Sequence, residues 1–341
     1  MRIEVEPSPV FRQQAQAWLT LVPPSADPRM PRLLEHGKQR VVVAERVECP
    51  DNYTLREILL VRGDFQCGSN CRFYGAIYVA GSAMLGRATE AASICTGGAL
   101  TAGLDTRIHR WADAHGRVDL RAGAWVRECV SDVAIEISQQ ASASVLLAPR
   151  VSTHGAVAGG GSEPSPASDY IEIPAPSAGV EPELGAVRGF RRDRLSPLGA
   201  ETWVYDGTLN IPFPVISRAK LVVRGSFACP PSSLLEDDVK AGGGIRLGAG
   251  TVAHGNLTAR GEMTLDGRCL FSGSLRAGLA IRLRSGVRGY SPSGPVEVRA
   301  REQVHMEPDV VVRGRIESES ATIRASQPLL EGGLDLLLAE I

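Results

Sequence analysis

The residues best suited to chemistry are six histidines, seven cysteines and one short acidic run. His109 and His115 flank Trp111 and Asp113 in the stretch 105–116 (DTRIHRWADAHG). Such a set could bind a ligand or a metal, although a spacing of six on an unpaired loop is a poor ligand pattern. His254 falls at a corner of a repeat and is the one histidine placed to act as a base between repeats. A general base needs an orienting partner, and none is evident beside it, so a solvated turn residue is the plainer account. Cys67-x3-Cys71 is half a metal site, which no second Cys or His pair at ligand spacing completes. Glu236-Asp237-Asp238 reads as a solvated acidic loop. Val61-Arg62-Gly63, Val223-Arg224-Gly225 and Val312-Arg313-Gly314 repeat one corner, whose arginine could meet phosphate but more simply faces solvent at a strand end. The expectation is therefore no catalytic residue, no cofactor site and no metal site.

The elements that carry these residues are written in an 18-residue period. Ile245, Met263 and Ile281 are 18 apart, as are Leu247, Leu265 and Leu283, and Gly255 and Gly273. A period of six runs inside it: Ile245, Thr251, Leu257, Met263, Cys269, Leu275, Ile281, Val287. Three six-residue sides per turn describe a triangular parallel β-solenoid. Inward residues alternate with polar ones, as in Ile245-Arg246-Leu247, and alternation is the strand signal. The same register predicts stacking of Val41, Leu59 and Ile77, of Val47, Phe65 and Ala83, and of Trp203 and Leu221. Cys49 and Cys67 then sit on neighbouring coils, about 4.8 Å apart. Free apolar thiols are expected there rather than a disulfide.

The expected fold class is all-β: two three-sided parallel β-helix units with coils of about 18 residues and short capping segments at the termini. Residues 1–38 form a leader in which Val10, Phe11, Ala15, Trp18, Leu19 and Val22 make one face of a helix, read as a cap over the first coil. A membrane-surface helix is the other reading, with Arg12 as the only positive charge near it. Residues 39–151 form the first solenoid, broken by a loop at 105–116. Residues 152–198 form a Gly/Ser/Pro/Ala-rich flexible linker, and 199–325 the second solenoid, interrupted near 230–240 and 291–295. Residues 326–341, with Leu334, Leu336, Leu337, Leu338 and Ile341, form a C-terminal cap or fold over a partner.

Composition limits function. A formal net charge of −1 recruits neither nucleic acid nor anionic lipid. No apolar run approaches the ~18 residues of a membrane span, and the start MRIEVEPSPV carries no secretory pattern, so a cytoplasmic protein is expected.

The second solenoid resembles a bactofilin, the bacterial polymer-forming cytoskeletal family. The resemblance rests on GNLTA (255–259), GSLRA (273–277) and GRIES (314–318), with MTL (263–265) and IRL (281–283) between them. It covers about 110 residues well and the first solenoid more loosely. It implies a right-handed three-sided β-helix that polymerises end to end without nucleotide, scaffolds envelope or morphogenesis proteins, and attaches to the inner face of the membrane through a short N-terminal segment. This chain departs in having two solenoids, a longer leader and terminal segments that look like caps.

Two other functions share features of this repeat. A left-handed hexapeptide acyltransferase also has six-residue sides, but its inward aliphatics are followed by small residues. Here Ile245, Leu257, Met263, Leu275, Ile281 and Val287 are followed by Arg, Thr, Thr, Arg, Arg and Arg. A carbohydrate-binding β-helix would present an aromatic platform, and Trp111, Trp125 and Trp203 form no spaced ladder. The expected function is non-enzymatic: a structural or scaffolding protein that self-associates end to end or presents flat faces to other proteins, with no small-molecule substrate.

Overall fold

The 18-residue period becomes a stack of coils. The computed structural model describes residues 8–24, 31–36, 39–138, 140–153, 170–178, 192–320 and 322–325. Short strands follow one another around three sides, and each pairs in parallel with the strand one coil on, through about 14 turns. In the second stack, side one is built from Lys220–Val223, Val239–Ala241, Leu257–Ala259 and Leu275–Ala277. Side two holds Phe227–Cys229, Ile245–Leu247, Met263–Leu265 and Ile281–Leu283. Side three holds Val215–Ser217, Leu234–Leu235, Val252–Ala253 and Leu270–Phe271. Every residue of the six-residue series from Ile245 to Val287 is at most 2% exposed. Between them Arg246, Arg276 and Arg282 point outward, as the two-residue alternation of a strand requires.

The corners are built by two repeated devices. One position per coil adopts the left-handed conformation: Asn52, Asn70, Ala88, Asp105, Gly123 and Gln140 in the first stack, and Ser232, Gly250, Arg268, Gly286 and Asp309 in the second, all with φ between 53° and 79°. The residue that follows often returns a side-chain hydrogen bond to an earlier corner. Thr89 and Thr106 donate to the carbonyls of Gly68 and Gly86, and Thr251 donates to that of Pro230. Cys71 and Cys269 do the same with their thiols, to Pro50 and Gly248. These bonds satisfy carbonyls that the turn would otherwise leave unpaired inside the rod.

Several expectations from the sequence are corrected. Residues 105–116 are not a loop: Arg107–Ala114 is a strand, paired on both sides and carrying one register shift. The stretch 230–240 keeps the period, since Leu221 pairs with Val239 and Ile216 with Leu234. The interruption near 291–295 is real, and across it the step lengthens to 23 residues, from Leu275 to Val298 and from Ile281 to Val304. The segment 152–198 is in part structure rather than linker. Strand Ile171–Ile173 stacks under Val215–Ser217 with Ile173 buried, and Leu195–Leu198 pairs antiparallel with Thr202–Tyr205. Residues 154–169 and 179–191 lie outside the described residues. On one side of the first coil the step is 17, with Val41 paired to Ile58, whereas the next step on that side, Leu59 to Ile77, is 18. A slip of one reverses the faces, so Val41, Val43, Ile58 and Leu60 point outward while Leu59 and Val61 enter the interior.

That outward apolar face is where the leader goes. Helix Ser8–Leu21 does not close the end of the stack. It lies along the side, with Phe11, Ala15, Trp18, Leu19 and Val22 packed on Val41, Ile58, Leu60, Ala76, Tyr78 and Trp111. Val10, expected on this face, is 46% exposed. Strand Arg32–His36 pairs antiparallel with Gln39–Ala44 and covers one side of the first coil.

The two stacks meet at their C-terminal ends. Strand Ser142–Thr153 winds through the last coil of the first stack and pairs antiparallel with Val311–Ser318 and Thr322–Ala325 of the second. Leu146 lies opposite Ile316 and both are fully buried. One hydrophobic cluster therefore runs through both stacks. Residues 326–341, expected as a cap, lie outside the described residues, and the coil edge they were to cover is taken by Ser142–Thr153.

Candidate functional site

The histidines of 107–115 are not brought together. His109 stands 3.8 Å from Glu90, with its ring 6.2 Å from that of Trp125. Trp111 and Asp113 are buried under the leader helix, and Phe11 meets the Trp111 ring at 5.5 Å. Arg12 reaches inward from the helix. Its Nε donates to Cys95 Sγ at 3.2 Å, one terminal nitrogen pairs with Asp113, and the other lies 2.5 Å from His115 Nε2. His115 Nδ1 in turn meets Asp132. Burial opposes the charge on Arg12, but Cys95, Asp113 and Asp132 outweigh it and its pKa is raised. At the other end of the helix Arg62 donates to the carbonyls of Leu19 and Val22, which satisfies groups that a helix C-terminus leaves free. The chemistry foreseen around Trp111 is thus a clamp that holds a helix on a β-face.

The other candidates resolve in the same manner. His254 Nδ1 lies 3.2 Å from Ser272 Oγ, and that hydroxyl donates to the His254 carbonyl. Cys67 and Cys71 belong to the corner ladder rather than a metal site, and burial raises the Cys67 thiol to about 11. Cys49 registers with Cys67, and both are free thiols. Among the described residues no group of three or more His, Cys, Asp or Glu is arranged to hold a metal. Asp238 is in register, accepting the backbone N–H of Asn256 at 2.7 Å, and Glu236 pairs with Arg218. The three repeated arginines have three different partners: helix carbonyls for Arg62, Asp206 for Arg224 and the Tyr290 ring for Arg313.

The rod ends offer strand edges that lack a partner among the described residues. Each end is the N-terminal coil of one stack. At the first, strands Val47–Cys49 and Thr54–Leu55 have one described partner each, Phe65–Cys67 and Arg72–Val79. Val47, Cys49 and Leu55 pack on the interior yet stay only partly buried. At the second end Leu209–Asn210 pairs only with Phe227–Cys229 among the described residues. Ile171 and Leu195 are the partly buried residues there. An unpaired strand edge beside apolar core residues is a template for another chain.

No protein-family model, curated protein or solved structure matches this chain. The fold itself defines the class, a parallel β-solenoid of two stacks joined tail to tail. Among the described residues no helix is long and apolar enough to cross a membrane.

Proposed function

We infer that the chain is a non-enzymatic structural rod of bactofilin type that associates end to end. One observation carries this reading. The chain already joins two coil ends, by laying Ser142–Thr153 antiparallel on Val311–Ser318 and Thr322–Ala325. The same kind of bond is open to the outer ends, where strands Val47–Cys49, Thr54–Leu55 and Leu209–Asn210 keep an edge without a described partner. Stacking satisfies backbone groups and buries Val47, Cys49 and Leu55 without cofactor or nucleotide. The partner is a second copy, and flat faces along the rod remain for other proteins. Because both outer ends are N-terminal coils, growth joins like to like.

Negative-stain electron microscopy at several concentrations, without nucleotide, tests this. About 14 coils make a rod roughly 65 Å long. Particles in multiples of that length, lengthening with concentration, are expected. Single rods at every concentration would overturn end-to-end assembly.

A further inference from the structure

The three faces of the second stack differ in the residues they turn away from the interior. On side one the outward column reads Val222, Lys240, Thr258, Arg276, Arg299. On side two it reads Ala228, Arg246, Thr264, Arg282, His305. On side three it reads Ile216, Leu234, Val252, Leu270, one aliphatic side chain per coil; none belongs to the interior cluster, Leu234 and Leu270 are half-buried, and Ile216 and Val252 are buried. Scattered apolar surface residues need no explanation, but a continuous column does.

The same face carries the largest departure from register in this stack. The extra residues of the 23-residue step follow Arg288, and Tyr290 and Pro292 form a wall beside the column. Together they enclose a groove of about 260 Å³ with Val252 and Leu270 on its floor and His254, Ser272 and Arg288 at its rim. The Arg313 guanidinium stands 4.9 Å over the Tyr290 ring and braces the wall. In the first stack an outward apolar face is covered by the amphipathic helix Ser8–Leu21. On side three no described segment plays that part.

We propose that this groove seats residues 334–341 of the same chain. Leu334, Leu337, Leu338 and Ile341 recur at i, i+3, i+4 and i+7, the spacing of one apolar stripe, and Asp335 and Glu340 lie between them. Their charge suits Arg288 at the rim and Arg313 behind the Tyr290 wall. The path also fits. The described chain ends in Thr322–Ala325 on side two, and the winding order brings side three next. The groove lies three to four coils back, about 14–19 Å. The eight residues 326–333 span up to about 26 Å when extended. Docking here is independent of any contact between rods.

The test uses a fluorescent peptide of residues 330–341 and the full chain. In a chain carrying Leu337→Glu and Leu338→Glu, whose own segment cannot compete, the peptide binds. The intact chain binds it at least tenfold more weakly. Adding Leu270→Glu or, separately, Tyr290→Ala to the first variant lowers affinity at least tenfold. Both residues are surface positions, and circular dichroism checks that the rod persists. No binding to the Leu337→Glu/Leu338→Glu chain overturns the proposal. Equal binding to the intact chain, or indifference to both groove variants, overturns it as well.

Discussion

A buried thiol shows what a single residue does in this fold. Cys95 and Cys229 are raised to about 11, and Cys269 to about 12, in each case first by burial, which disfavours the thiolate. Against a starting value of 9.0, the folded chain keeps these protons where the unfolded chain loses them. The stability curve is therefore flat below about pH 9 and falls as pH rises from there through the folded values. Urea midpoints taken between pH 7 and 10.5 should drop only above pH 9, and Cys269→Ala should lessen the drop. A midpoint that rises with pH over that range would contradict the burial of these thiols. The same protonation leaves Cys95, Cys229 and Cys269 unreactive toward alkylation in the folded rod at neutral pH. Their positions could be read from the period, since Cys269 falls in the six-residue series and Cys229 pairs with Leu247. The left-handed corner column could be read only in part, at Asn52, Asn70, Asp105, Gly123, Gly250, Gly286 and Asp309, whose types adopt that conformation readily. Ala88, Gln140, Ser232 and Arg268 share one conformation there and no common chemistry, because the turn constrains the backbone and leaves the side chain free.

At the scale of an element, the leader helix is held by its apolar face and by Arg12. Removing the guanidinium takes away the charge-assisted bond from the helix to nearly buried Asp113, a loss of about 2 kcal/mol in docking. Arg12→Ala should expose Trp18 and Trp111, so that tryptophan emission shifts to the red while the far-ultraviolet β signal is kept. An unchanged emission spectrum would mean that the helix is held without the clamp. The helix itself was legible from Phe11, Ala15, Trp18, Leu19 and Val22. Its resting place was not, because the receiving face depends on a 17-residue step between Val41 and Ile58 that an even 18-residue count overlooks. That one step turned Val41 and Val43 outward and supplied the helix with its floor. Strand Arg107–Ala114 was hidden by a different irregularity. Its register shifts between Ile108 and Trp111, so the inward residues Ile108, Ala112 and Ala114 break the alternation, and Trp111 and Asp113 of its other face are buried under the helix.

At the scale of the molecule, the junction joins two stacks into one cooperative body. Repeat stacks unfold as a sum of local stabilities and interfaces, so coupling across Leu146 and Ile316 sets whether one transition or two is seen. Leu146→Asp places a lone charge in a fully buried site and should cost about 3 kcal/mol. Calorimetry should then resolve two transitions where the unaltered chain gives one. A single transition in the variant would show that the stacks do not depend on this contact. The repeating sequence alone determined the coil, its three sides and most of its interior, because each inward residue answers to neighbours six and 18 positions away. Tertiary structure decided the rest: where the helix lies, how the stacks meet, and which face keeps an apolar column. Those outcomes rest on edges and surfaces that local order leaves unsatisfied, and their partners are set by proximity in space rather than by spacing along the chain.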